Sequence, residues 1–188
     1  IEMAYYLGNV RRIGFDLLRA QGRGSAVRPA REEDMVRAME QVFALCRKFE
    51  KLTGRHISIA QEEQAACLLQ RTSDGFSHCH AMSGAGVHID AAGRIFACSS
   101  YVGDARFLLG DVEHGIDVRR QVEVAHEMQD AMAFCRACAD FAGCGGACYA
   151  RWAGQQHSAL SNAECALKRA AMQTVHISDS HTYEGIPT

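Results

Sequence analysis

From Asn9 to Leu18 (NVRRIGFDLL) the apolar residues Val10, Ile13, Phe15 and Leu17 fall in an interrupted period of two, which predicts a strand. The stretch Gln21 to Ser25 (QGRGS) breaks it. A helical period follows: Met35, Met39, Val42, Phe43, Cys46, Phe49 and Leu52 make one apolar stripe. Pro29 suits a first-turn position, Glu32, Glu33 and Asp34 complement the positive end of the helix dipole, and Gly54 is placed to cap the C-terminus. A short strand, His56 to Ala60, and a short helix, Glu62 to Arg71, complete a β-α-β-α order of the α/β kind.

The pattern changes near residue 75. Val87 to Asp90, the turn Ala91-Ala92-Gly93, and Arg94 to Cys98 read as a hairpin, since alternating residues flank a small-residue turn. A polar helix is expected from about Asp117 to Met132. A glycine-rich cysteine cluster, a connector and a closing helix follow, and the polar stretch His176 to Thr188 is expected to be loose. No repeat of 20 to 50 residues is present.

Size and charge exclude several classes of function. A chain of 188 residues buries a real core without cross-links, so neither disulfides nor metal are forced by length. The formal charge of -2 and the absence of a basic run argue against a nucleic-acid surface. No apolar stretch is long enough to span a bilayer. The opening Ile1-Glu2-Met3-Ala4 shows no basic segment leading into an apolar one, so a cytoplasmic, reducing location is expected. There the nine cysteines, an odd number, serve as ligands or catalysts rather than disulfides.

Seven of them follow one order: Cys79, thirteen residues, Gly93, four residues, Cys98, a gap, Cys135-x2-Cys138-x5-Cys144-x3-Cys148, a gap, and Cys165. The x2 spacing lets two sulfurs reach one centre from a single turn, which suits zinc and iron-sulfur clusters alike. Structural zinc takes closed sets of four, into which seven thiols do not divide; an iron-sulfur cluster tolerates an incomplete set. Gly143, Gly145 and Gly146 would let the backbone approach a bulky inorganic core and aim amide hydrogens at its sulfurs. Ser161-Asn162-Ala163-Glu164 has capping-box spacing and would place Cys165 in the first turn of a helix, where a thiolate is favoured.

The whole order, with GVHIDAAGRIFAC as the hairpin and CGGACYAR as the cluster turn, resembles the seven-cysteine signature of the SPASM domain. That domain is the C-terminal extension of many radical S-adenosylmethionine (SAM) enzymes that modify peptides and proteins. The resemblance implies the α/β remnant of a partial (β/α) barrel over residues 1–75, a small α+β SPASM domain with hairpin and cluster-binding loops over 76–175, and a polar tail over 176–188. It implies two auxiliary [4Fe-4S] clusters, the first held by Cys79, Cys98 and Cys148 and the second by Cys135, Cys138, Cys144 and Cys165. Some members of the family supply the first cluster with a further cysteine soon after the one matching Cys79. None lies between Cys79 and Cys98 here, which leaves the fourth iron open or bound by His80, His88 or Asp90.

Radical SAM chemistry needs a Cx3Cx2C loop, and the nearest approach, Cys144-x3-Cys148, has Arg151 at the next required position. No SAM-binding or catalytic residue is assigned. The chain is therefore read as the C-terminal part of a longer enzyme whose missing N-terminal barrel would bring SAM and a third [4Fe-4S] cluster. A peptide or protein substrate and a reductant such as flavodoxin or ferredoxin are the implied partners, with electron transfer or substrate anchoring as the role of the clusters. The alternative is a stand-alone electron-transfer or structural zinc-binding module. Cys46, on the helical stripe, and Cys67, among Ala65, Ala66, Leu68 and Leu69, are expected to be small buried hydrophobes. His78 and His80 are expected to be solvated, and Tyr149, Arg151 and Trp152 to serve packing.

Overall fold

Each stretch of helical period folds as a helix, whereas the strands are shorter than the alternation of residues suggests. The computed structural model describes residues 1–17, 30–70, 75–152 and 159–181. Gln21 to Ser25, Pro29 and Arg71 lie outside the described residues. Two compact units are formed, Ile1–Arg71 with His157–Thr188, and Thr72–Gln156.

In the first unit, helix α1 (Glu2–Leu7) precedes strand β1 (Arg12–Ile13), and helix α2 (Glu32–Thr53) precedes strand β2 (Ser58–Ile59) and helix α3 (Ala60–Leu69). β1 and β2 pair in parallel, Arg12 with Ser58 and Ile13 with Ile59. The pairing stops there because a side chain takes the ladder's place: the Gln61 amide donates to the Phe15 carbonyl at 2.6 Å and accepts from the Phe15 N–H at 3.2 Å. α2 carries its three acids in the first turn, and Gly54, at φ 68°, closes it by donating to the Glu50 carbonyl at 2.8 Å. Met39, Phe43 and Cys46 of its stripe are buried, but Leu52 is exposed.

The closing helix α8 (Ala159–His181) lies along α2 and α3. Its buried Ala163, Ala166, Leu167 and Ala170 recur at intervals of three and four, and the small side chains let the helices approach closely. Two expectations are corrected here. The helix starts upstream of Ser161, so Cys165 stands in its second turn, not its first. Glu164 is 2% exposed with a carboxylate oxygen 3.7 Å from Lys168 Nζ, one turn onward, rather than reaching back as a capping box requires. The helix also continues to His181, into the stretch expected to be loose.

Among the described residues the second unit contains four strands, β3 (His88–Ile89), β4 (Arg94–Phe96), β5 (Leu108–Asp111) and β6 (Gly115–Ile116), antiparallel in that order. In the expected hairpin His88 pairs with Phe96 and Ile89 with Ile95. Asp90 shapes its turn: the carboxylate accepts from the Ala92 and Arg94 N–H groups at 2.9 and 3.0 Å and pairs with the Arg94 guanidinium at 2.7 Å. β5 and β6, which the pattern does not announce, meet at Gly110, where a Cβ would stand 2.1 Å from the Gly115 carbonyl oxygen.

Helix α4 (Val118–Ala131) is capped by Asp117, whose side chain accepts from Arg120 N–H at 3.1 Å. It buries Val124, Ala125 and Met128. Short helices α5 (Ala133–Arg136), α6 (Phe141–Cys144) and α7 (Tyr149–Trp152) carry the cysteine cluster. Among the described residues, no helix is long and apolar enough to cross a membrane.

Candidate metal centre

All nine cysteines are free thiols. Six of the seven in the ordered set belong to the second unit, and Cys165 lies on α8 of the first. Cys135 is buried in α5, Cys138 is exposed just beyond it, and Cys79, Cys98, Cys144 and Cys148 are half-buried.

The loop from Cys135 to Cys148 is built by tight backbone turns. Cys138 N–H donates to the Cys135 carbonyl at 3.0 Å, Phe141 N–H to the Cys138 carbonyl at 3.1 Å, and Cys144 N–H to the Asp140 carbonyl at 2.9 Å. Gly145, at φ 66°, ends α6 with its N–H on the Phe141 carbonyl at 2.8 Å. Its own carbonyl accepts from both Ser77 N–H (3.1 Å) and His78 N–H (3.0 Å), tying the segment before Cys79 to this loop. The next residue, Gly146, has φ 86°, and a Cβ there would stand 2.5 Å from Phe76 Cδ1. The glycines at 145 and 146 thus serve a helix cap and the close approach of an aromatic ring.

The turn after Cys79 and the segment leading to Cys98 meet at Gly86. A Cβ at that position would lie 2.2 Å from the Ala97 carbonyl oxygen and 3.1 Å from Ala81 backbone atoms, so only glycine lets the turn after Cys79 press on the strand leading to Cys98. Cys98 opens a 3-10 turn, Ser99–Tyr101, with Tyr101 N–H on its carbonyl at 3.1 Å. The Tyr101 ring stacks on Phe107 at 4.1 Å, and Tyr149, the residue after Cys148, meets both edge-on at 5.8 and 6.0 Å. Burial, then the neighbouring Tyr149, Cys98 and Cys148, push the Tyr101 hydroxyl up to about 12. Aromatic packing thereby draws the Cys98 and Cys148 turns into one neighbourhood.

Among the described residues, no three His, Cys, Asp or Glu side chains converge as donors to a single ion do. The donor set nonetheless fits an iron-sulfur group in kind, because it is made of soft thiols on glycine-bearing turns. The Cys138 thiol faces the Asp140 carboxylate at 3.8 Å and the Cys144 thiol the Gly146 carbonyl at 3.5 Å; ligation would require loss of those protons. Asp90 is committed to the hairpin turn. Buried Trp152 tilts over Phe134 at 4.8 Å and Arg151 is buried beside it in α7, so these residues pack as expected.

Outside the set, Cys46 is buried, and burial pushes its thiol up. Cys67 is exposed, contrary to expectation: α3 buries Ala65 and Leu68, and Cys67 projects from another side of the helix. The sequence reading missed Phe76, which packs against the loop but contains no chemistry-bearing group. A lone aromatic three residues before Cys79 was the only sign.

No protein-family model and no curated protein matches the chain. Among solved structures it is similar to anSMEcpe, an anaerobic sulfatase-maturating enzyme. The native enzyme with bound AdoMet superposes with a TM-score of 0.57 at 18% identity, over 90% of this chain and 47% of that one. The same enzyme with AdoMet and Kp18Cys peptide gives 0.55 at 17%, over 90% and 48%. With AdoMet and Cp18Cys peptide it gives 0.53 at 18%, over 92% and 49%. At such identities the likeness is one of fold, and the chain spans about half the length of the enzyme it matches.

Proposed function

We propose that the chain is the auxiliary-cluster region of a radical SAM/SPASM enzyme that modifies a peptide or protein. One observation carries the reading: the chain that holds the seven-thiol order shares its fold, over 90% of its length, with an enzyme solved with AdoMet and with peptides. In this reading residues 1–75 continue a partial barrel and 76–175 form the SPASM domain. Cys79, Cys98 and Cys148 would hold one [4Fe-4S] cluster, and Cys135, Cys138, Cys144 and Cys165 a second. When bound, such clusters supply one-electron acceptors or donors and, at an iron without a fourth protein sulfur, a point of attachment for substrate.

What the chain's own residues contribute is supported by the geometry above. The half-buried thiols at 79, 98, 144 and 148 remain reachable, as ligands must be before they lose their protons. The Tyr101, Phe107 and Tyr149 rings form an apolar wall on the side of the Cys98 and Cys148 turns, which lowers the local dielectric there.

The test is anaerobic reconstitution of the chain with iron and sulfide. About eight irons are expected, as for two four-iron clusters. One or two zinc ions with no visible charge-transfer absorption would overturn the reading in favour of a zinc module. The loaded, reduced chain given SAM is expected to release no 5′-deoxyadenosine, because it has no Cx3Cx2C loop; multiple turnovers would contradict its assignment as an auxiliary region.

A further inference from the structure

One side chain that meets several segments of the cysteine loop is not itself a ligand type. Phe76 is 3% exposed. Its ring touches one residue in each interval of the Cys135-x2-Cys138-x5-Cys144-x3-Cys148 run. The Arg136 guanidinium carbon sits 5.2 Å from the ring centroid, in the x2 interval. Phe141 meets it edge-on at 5.2 Å, in the x5 interval. Gly146, in the x3 interval, is the backbone against which the ring rests. Arg136 is held from its other side by the Gln129 side chain at 2.9 Å. The two residues after Phe76 place both their N–H groups on the Gly145 carbonyl.

We infer that Phe76 is the positioning residue of this thiol group: it shapes the Cys135–Cys148 loop before any metal arrives and couples that loop to the segment bearing Cys79. The inference rests on the proposed ligand role of these cysteines. The physical reason is preorganisation. A loop already folded in the metal-free state does not have to be ordered at the expense of the metal-binding free energy. Three glycines and several short turns in fourteen residues would otherwise leave the loop with large conformational entropy. An aromatic ring suits the task because it offers an apolar body, an edge for Phe141 and a π-face for Arg136 at once.

The test reads each thiol separately in the reduced, metal-free full chain, by timed alkylation and mass spectrometry. In Phe76→Leu, Cys135 and Cys144 are expected to react about tenfold faster, through local opening of the loop. Cys138, already exposed, and Cys98, held by the Tyr101–Phe107 stack, should stay within about twofold of their original rates. Leu109→Ala, a buried site on β5, destabilises the same unit and should not raise Cys135 and Cys144 relative to Cys98. If Phe76→Leu fails to fold, Arg136→Gln removes the cation on the ring together with its bond to Gln129, and should raise Cys135 alone, by about fivefold, whereas Gln129→Ala, which removes that bond and leaves the cation, should raise it less.

Unchanged rates at Cys135 and Cys144, or a rise shared equally by Cys98, would overturn the inference. Because the readout needs no metal, such a result leaves the functional reading standing. Failure of the unsubstituted chain to take up iron would sink that reading instead.

Discussion

Replacing Gly146 by alanine imposes two costs that the structure separates. The backbone there has φ 86°, a conformation that costs an L residue about 1–2 kcal/mol. The new Cβ would also meet Phe76 Cδ1 at 2.5 Å and Cε1 at 3.0 Å, with Phe141 Cε2 at 3.5 Å. The ring is buried and braced by Arg136 and Phe141, so it cannot swing aside, and overpacking of this kind costs about 1–3 kcal/mol. The sum is about 2–5 kcal/mol, a large part of a domain's total stability of about 5–15 kcal/mol. Gly84→Ala supplies the control: its φ is 73°, yet nothing lies within 4 Å of its Cβ position, so only the backbone cost of about 1–2 kcal/mol should appear. Trp152, the single tryptophan, is buried in the same unit and reports urea unfolding by fluorescence. The two variants should differ by at least about 1 kcal/mol. Equal losses, within about 0.5 kcal/mol, would show that the ring does not press on the backbone and would refute the packing argument.

Cys46 and Cys67 should both be dispensable for iron uptake, but for different reasons. Cys46→Ala removes a buried thiol and is expected to cost about 1–2 kcal/mol, whereas Cys67→Ala, at an exposed site, should fall within about 0.5 kcal/mol of the parent; halved iron content in either would contradict the ligand assignment. Asp104 titrates below the ordinary carboxylate range, first through the Arg106 side chain and then through the Arg106 N–H, both of which it accepts. A lowered folded-state value stabilises the protein above the unfolded pKa and the gain disappears as pH falls through the folded one; Asp104→Asn should therefore flatten stability against pH below about 4, and an unchanged acid limb would count against the pairing.

Local features were legible in the sequence because their causes are local. The α2 stripe, the acids in its first turn and Gly54 beyond its end each act within a turn or two of their own position. The hairpin follows from Ala91-Ala92-Gly93, with Asp90 supplying the acceptor that closes it. The thiol order is likewise a property of spacing alone, whereas the functional expectation rests on the resemblance of that order to a known signature.

Only the tertiary structure decided which side of a helix is covered and what a glycine is for. Cys67 and Leu68 are neighbours in an apolar run, yet Leu68 is buried and Cys67 exposed, because α8 covers one side of α3 and no local pattern announces which. Ser161 to Glu164 satisfies the spacing of a capping box, but the helix had already begun and burial turned Glu164 toward Lys168. At Gly146 the fold adds a use that the sequence does not announce: its missing side chain admits Phe76, a residue seventy positions away. Contacts at such separations leave no periodicity in the chain, since each is set by how whole elements meet and not by the residues flanking either partner.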